Sequence, residues 1–230
     1  MSDSHTDSDP LANWRQVRAA IAEAARASGR DPAGVELLAV GKGHGAEKMR
    51  ALLAAGHRAF GENRVQEAQA KWPPLRRDFP DLRLHLIGKL QTNKARDAVA
   101  LFDAIETLDS ERLAEILARE MARAGRRPDC FVEVNIGSEP QKGGIAPEAA
   151  EAFVAACRER LGLPVVGLMC IPPAGADPVP HFKALGRIAA RAGLRRLSMG
   201  MTADYRAAVE CGSTEVRVGT AIFGDRPKTG

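Results

Sequence analysis

The stretch Val35-Glu-Leu-Leu-Ala-Val40, with Gly41-Lys-Gly43 after it, decides the fold of this chain. The run is short and mostly apolar, and glycines end it, which is typical of a buried β-strand and the turn that follows. A helix is predicted over residues 46–55, where Gly56 ends it. Strand, turn and helix in this order are typical of a βαβ unit, in which the next strand lies parallel to the first.

The same alternation continues along the chain. Seven further strands are predicted, over residues 58–61, 82–87, 104–108, 130–136, 165–171, 197–199 and 216–223. The predicted helices cover residues 11–28, 46–55, 63–71, 92–99, 110–124, 147–160, 178–192 and 203–210. These repeated units predict an α/β fold, a single (β/α)8 TIM barrel. An open doubly wound sheet is the alternative, although the chain has no G-x-G-x-x-G after its first strand to favour it.

Composition and charge exclude several classes of protein. The 230 residues, 45% hydrophobic, suit one domain, which we expect over residues 11–230 after a disordered lead at residues 1–10. The net charge is +4 and aromatic residues make up 4%, so a nucleic-acid surface is not expected. No apolar run is long enough to span a membrane, and the N-terminus has no signal-peptide pattern.

The four cysteines, Cys130, Cys157, Cys170 and Cys211, are scattered and form no CxxC pair. They predict neither a disulfide framework nor a metal site, because cysteine and histidine never cluster at ligand spacing. Reduced thiols in the cytoplasm are the expected state.

Candidate functional residues follow the predicted strands, because barrels carry their sites at the C-terminal ends of strands. Lys42 follows the first strand, where partial desolvation yields a neutral amine that attacks an aldehyde; an ordinary loop lysine is the alternative. Ser198-Met-Gly-Met201 and Gly219-Thr220 predict a phosphate site built from backbone N–H groups, with two tight turns as the alternative. Together they predict a ligand that is a phosphorylated aldehyde. His85, inside the third strand, is expected to be a core histidine.

Six longer motifs resemble those of the pyridoxal phosphate homeostasis protein family, and the likeness covers residues 12–226. They are Ala39-Val-Gly-Lys42, Phe60-Gly-Glu-Asn63, Leu90-Gln-Thr-Asn-Lys94, Gly167-Leu-Met169, Leu197-Ser-Met-Gly-Met201 and Val216-Arg-Val-Gly-Thr-Ala-Ile-Phe-Gly224. The resemblance implies a barrel like the N-terminal domain of alanine racemase. It also implies that pyridoxal 5′-phosphate (PLP) is held as a Schiff base.

The resemblance also implies a role for each site residue. Lys42 stands at the Schiff-base position, and Arg217 stands where the family's arginine faces the pyridine nitrogen. The positions that hold the phosphate are Ser198, Gly200, Met201, Gly219 and Thr220, and those near the ring are Asn63 and Met169. Around the lysine this chain has Gly41 and Gly43-His44, where the family commonly has serine and threonine-lysine.

The arginine that the resemblance places at the pyridine nitrogen, Arg217, bears on whether the chain is an enzyme. PLP works as an electron sink when its pyridine nitrogen is protonated, and an arginine, which is always cationic, disfavours that state. The main hypothesis is therefore a monomeric PLP carrier and buffer, not an enzyme. It would serve PLP-dependent apoenzymes and act on amino- and keto-acid balance indirectly. The alternatives are a weak PLP-dependent amino-acid racemase and a phospho-sugar aldolase that forms its imine on Lys42.

Overall fold

Eight parallel strands form the centre of the fold in the computed structural model, which describes residues 9–225. The strands are β1 (Glu36–Val40), β2 (Ala59–Glu62), β3 (Arg83–Leu86), β4 (Ala104–Leu108), β5 (Asp129–Glu133), β6 (Val165–Met169), β7 (Arg196–Ser198) and β8 (Glu215–Val218). Each strand pairs in parallel with its neighbour in chain order, and β8 pairs with β1 to close the barrel. The predicted (β/α)8 barrel is confirmed.

Helices surround the strands and cover their outer faces. They are α1 (Pro10–Ala27), α2 (Ala46–Ala54), α3 (Val65–Asp78), α4 (Ala95–Leu101), α5 (Glu111–Ala124), α6 (Ala150–Glu159), α7 (Pro178–Arg191), α8 (Tyr205–Glu210) and α9 (Thr220–Phe223). The main apolar core lies between these helices and the outward-facing strand residues. Burial of the outer face of each strand in this layer explains why apolar residues recur in every strand.

The last predicted strand was wrong beyond Val218. The chain leaves the sheet at Gly219, and residues 220–223 form the helix α9 instead of continuing β8. Gly219 passes close to β1: if the residue had a Cβ, that atom would lie 3.2 Å from the carbonyl oxygen of Val40. Ile222 and Phe223, which made the segment look like a strand, are buried by the helix.

The start of α1 bears on the predicted disordered lead. Residues 1–8 of that lead lie outside the described residues, whereas Asp9 and Pro10 belong to the beginning of the helix. The carboxylate of Asp9 accepts the N–H of Leu11 at 2.9 Å, and proline is favoured at a first helical position. The helix therefore begins one residue before the predicted start.

The interior of the barrel is largely polar. Five buried polar side chains point inward, namely His85, Glu106, Ser198, Glu215 and Arg217. Their contacts join strands that are not neighbours, β3 with β8 and β4 with β7, which only inward-facing side chains can do. Ala104, Phe131 and Met169 form a separate small apolar cluster.

Two expectations from composition can be compared with the structure. The four cysteines are free thiols, and burial raises the pKa of Cys130 and of Cys170 to about 12. Among the described residues, no helix has both the length and the apolar character to cross a membrane.

Candidate ligand site at the mouth of the barrel

The parallel strands bring most of the predicted site residues to one end of the barrel. Lys42 follows β1, and Asn63 follows the neighbouring strand β2. The loops after β7 and β8 lie on the other side of β1, because β8 pairs with β1. Lys42 therefore stands between the loop after β2 and the two loops predicted to hold phosphate.

The loop that carries Lys42 is clamped by α3. The ammonium group of Lys71 donates to the carbonyl oxygen of Gly41 at 2.7 Å and to the Glu62 carboxylate at 2.7 Å. The N–H of Gly43 donates to the Glu67 carboxylate at 2.6 Å. These bonds hold the backbone on both sides of Lys42, so the two flanking glycines do not leave the loop free to move.

Glu67 also sets the charge beside Lys42. Burial opposes the ionisation of Glu67, but the Gly43 N–H, Lys71 and Lys42 together lower its pKa. A carboxylate thus lies within electrostatic range of the half-buried lysine. Neither Glu67 nor Lys71 is among the site residues predicted from sequence. The two are spaced four apart on one helix, but that spacing does not show that the pair folds against the loop after β1.

The glycine before Lys42 is required by its surroundings. A Cβ at Gly41 would lie 2.7 Å from Sδ of the fully buried Met49 and 3.1 Å from Glu62 Oε1. We expect Gly41→Ser to lower the free energy of unfolding by about 1–3 kcal/mol, because side-chain atoms are forced into a filled space. Gly34→Ser is the matched control, since nothing lies within 4 Å of a Cβ there. Urea denaturation measures both, and equal stability of the two variants would contradict the packing argument.

The loops after β7 and β8 are joined to each other. Gly200 has φ +96°, and a Cβ there would lie 2.5 Å from Cβ of Ala208, so glycine is needed where α8 approaches. The hydroxyl of Thr202 accepts the N–H of Ala221 at 3.4 Å, which links the two loops. The N–H of Met201 already donates to the Asp204 carboxylate at 2.7 Å. Thr202 and Asp204 are not among the site residues predicted from sequence.

Ser198 and Arg217 meet below these loops, inside the barrel. One guanidinium nitrogen of Arg217 donates to the Ser198 hydroxyl at 2.6 Å, and another donates to the carbonyl oxygen of Cys170 at 2.9 Å. The Ser198 hydroxyl in turn donates to Glu106 at 2.6 Å. The Ser198 side chain is therefore occupied in the interior, and it fixes the guanidinium instead of facing the loop surface.

From Glu106, a chain of contacts continues through His85 and Glu215 toward the opposite end of the barrel. His85 Nδ1 lies 2.8 Å from Glu106 and 3.6 Å from Glu215, and Glu215 accepts from Arg196 at 3.1 Å. Burial alone would lower the pKa of His85, but Glu215 and Glu106 outweigh it and raise that pKa to about 10. Burial raises the pKa of Glu106 to about 7, and the charge of Glu215 adds to the shift.

Glu36 lies next to His85 and Glu215. Each of the three residues offers one atom that could bind a metal ion, and these atoms lie within 4.8 Å of one another. The guanidinium of Arg196 lies 3.7 Å from Glu36 and supplies positive charge at this place.

The remaining predicted residues lie at the edges of the site. Met169 ends β6 and is fully buried against Ala104 and Phe131. Asn63 lines a cavity of about 550 Å³ together with Lys42. The structure therefore brings together Lys42 with Asn63, Ser198 with Arg217, and the loop after β7 with the loop after β8.

Comparison with known protein families and sequences gives consistent matches. The family model "Alanine racemase, N-terminal domain" matches residues 12–227. The pyridoxal phosphate homeostasis protein of Pseudomonas aeruginosa is 41% identical over 220 residues, which cover 93% of this chain and 94% of that protein. The protein of the same name from Escherichia coli K12 is 38% identical over 227 residues, with 93% and 95% covered.

Solved structures agree with these matches. PipY of Synechococcus elongatus PCC7942 with PLP bound is 40% identical and superimposes with a TM-score of 0.76, covering 89% of this chain and all of that one. Alanine racemase of Bartonella henselae is 15% identical with a TM-score of 0.70, covering 95% of this chain and 59% of that one, so it shares the fold alone. The family model covers nearly the whole chain, and the relatives are of nearly equal length. The chain therefore belongs to the pyridoxal phosphate homeostasis protein family.

Proposed function

We propose that this chain binds PLP on Lys42 and serves intracellular PLP homeostasis as a carrier and buffer. The observation that carries the proposal is the placement of Lys42. It follows β1 on a loop clamped by Lys71 and Glu67, next to the joined loops after β7 and β8. The PLP-bound PipY structure, at 40% identity over the same barrel, supports this ligand.

The residues present fit the group. The amine of Lys42 would hold the aldehyde carbon, and the loops after β7 and β8 would hold the phosphate. Gly200 and Gly219 keep those loops close to α8 and β1, where a Cβ would collide or crowd. The phosphate contacts we assign are the backbone of Gly200, Gly219 and Thr220, with the hydroxyl of Thr202 at the junction of the loops. The backbone of Met201 would join them by exchanging its bond to Asp204 for one to the phosphate. Asn63 and Met169 would lie near the ring.

Ser198 and Arg217 act together in this proposal. The Ser198 hydroxyl and the Cys170 carbonyl oxygen fix the guanidinium of Arg217, which would face the pyridine nitrogen. PLP supplies an electron sink when that nitrogen is protonated, and a permanent cation beside it favours the unprotonated ring. This arrangement favours holding the cofactor over carbanion chemistry. The curated relatives are likewise named as homeostasis proteins, not as enzymes.

We further propose that the barrel acts as a monomer and hands PLP to PLP-dependent apoenzymes. Among the described residues, the large hydrophobic side chains that are exposed are Ile171 and Met201, and both follow strands at the mouth. Such a surface offers little apolar area for a permanent dimer. The proposed compartment is the cytoplasm, in keeping with four free thiols.

Titration of the apoprotein with PLP tests the binding proposal. We expect visible absorbance that saturates at one equivalent and that borohydride abolishes, because reduction converts the imine to an amine. A protein that stays colourless in excess PLP would contradict the proposal and would leave the aldolase alternative, which needs no coloured cofactor.

The same PLP-loaded sample separates the carrier from the racemase. In D2O with L-alanine, we expect no exchange of the α-proton beyond that produced by free PLP at equal concentration. NMR of the alanine α-proton measures the exchange. Steady exchange well above the free-cofactor control would favour the weak racemase.

A further inference from the structure

A basic cavity lies beside Lys42, on the side away from the loops after β7 and β8. We call it the β2–β3 cavity, because the loops after β2 and β3 form most of it. Its volume is about 550 Å³. Its polar lining consists of four basic residues, Lys42, Arg64, Lys89 and Lys94, and three amides, Asn63, Gln66 and Gln91. No carboxylate is among the described residues that line it.

The charges around the β2–β3 cavity are poorly neutralised by the protein. Within residues 9–225, no acid lies within ion-pair distance of Arg64, Lys89 or Lys94. Glu67, close to the lysine loop, is already bonded to Lys71 and to the Gly43 N–H. Glu133 and Asp109 both lie near Lys89 and partly offset its charge, but neither lines the cavity. Cations gathered at a concave surface in this way attract an anion and raise its local concentration.

The cavity is large enough for a metabolite. Small-molecule sites in proteins commonly measure about 300–1,000 Å³, and this cavity falls in that range. Arg64 offers the planar fork that binds carboxylate or phosphate groups through two hydrogen bonds, while Lys89 and Lys94 offer point charges. Basic groups from the β2 loop and from the β3 loop suit a ligand with two or more anionic groups.

We propose that the β2–β3 cavity binds a small polyanionic metabolite carrying carboxylate or phosphate groups. The site goes beyond the proposed function and does not depend on it. The loops assigned to the PLP phosphate follow β7 and β8, whereas the cavity follows β2 and β3, with β1 between them. Lys42 and Asn63 border both sites, so the proposal requires that the rest of the cavity stay open when Lys42 carries a cofactor.

Isothermal titration at low ionic strength tests the proposal, on the apoprotein and on protein whose PLP has been fixed with borohydride. The probes are citrate, pyrophosphate and acetate. We expect citrate, pyrophosphate or both to bind at one equivalent to either form, with acetate at least about tenfold weaker. Binding of citrate alone identifies a carboxylate site, and binding of pyrophosphate alone identifies a phosphate site.

The double variant Arg64→Gln, Lys94→Gln is expected to weaken polyanion binding at least about tenfold without changing the melting temperature. Its matched control is Arg96→Gln with Lys183→Gln, which removes two charges from exposed positions outside the lining. Three results would overturn the proposal: no polyanion binding, equal affinity in the two double variants, or acetate binding as tight as citrate. Loss of binding once PLP is fixed would also overturn it, because the cavity would then belong to the cofactor's own site. A failure of PLP to bind leaves the apoprotein measurement intact, so the two proposals can fail separately.

Discussion

Lys42→Ala is expected to abolish the visible absorbance that PLP gives with the wild-type protein and to leave no adduct for borohydride to fix. The reason is chemical, because a Schiff base needs the amine, and alanine supplies none. The loop should keep its shape in the variant. The bonds that clamp it come from Lys71 and Glu67 to the backbone of Gly41 and Gly43, not from the lysine side chain.

Lys89→Ala is the matched control for this prediction. Lys89 also follows a barrel strand, and it lines the cavity that Lys42 borders. We expect this variant to keep both the absorbance and the reducible adduct. Absorbance spectra before and after borohydride, taken at equal PLP, measure both variants. A coloured Lys42→Ala protein, or a colourless Lys89→Ala protein, would contradict the assignment of the imine to Lys42.

His85→Ala is expected to lower the free energy of unfolding by about 3–5 kcal/mol, the cost of leaving buried charges without their partner. His85 is fully buried between Glu106 at 2.8 Å and Glu215 at 3.6 Å. A chain of this length loses about 2–4 °C in melting temperature per kcal/mol, so we expect a fall of about 6–20 °C. His181→Ala, on the outer helix α7, is the control and should change little.

The same histidine predicts how stability depends on pH. Its pKa in the folded protein is raised to about 10 from the usual 6.5. A raised folded pKa means that the imidazolium stabilises the fold fully below pH 6.5, and that this contribution is lost as pH rises toward 10. Glu106, with its pKa raised to about 7, acts in the same direction at lower pH, between 4.5 and 7. We therefore expect wild-type stability to fall from pH 7 to pH 10.

Urea denaturation of wild-type protein and His85→Gln across that pH range separates the histidine from other groups. The variant should be less stable at pH 7 and should show a flatter dependence on pH. Parallel curves for the two proteins would show that His85 is neutral in the folded state, and the interpretation of the buried network would be wrong.

The barrel could be predicted from sequence because each strand is short, carries apolar residues on at least one face, and is separated from the next by a turn and an amphipathic helix. The prediction failed locally at residues 219–223, where the run Thr-Ala-Ile-Phe suits a strand. In the structure Gly219 lies beside Val40, the last residue of β1, so β8 has no partner strand beyond this point. Contacts of that kind depend on the closed barrel, which brings the last strand next to the first.

The residues at the mouth of the barrel could be predicted because the C-terminal ends of parallel strands lie at one edge of the sheet. The contacts between side chains inside the barrel could not be predicted. His85 was expected to be a core histidine, but its partners Glu106 and Glu215 lie 21 and 130 positions away in sequence, the second on the non-neighbouring strand β8. Alternation along one strand shows which side chains share a face, and it does not show which strands face each other across a barrel. The hydrogen bond from Arg217 to Ser198 could not be predicted from sequence for the same reason.

Peptide mapping of the borohydride-reduced holoprotein by mass spectrometry shows directly whether PLP is bound to Lys42. We expect the reduced pyridoxyl group on the peptide that contains Lys42, at one equivalent per chain. A pyridoxyl group found mainly on another lysine, with Lys42 unmodified, would contradict it.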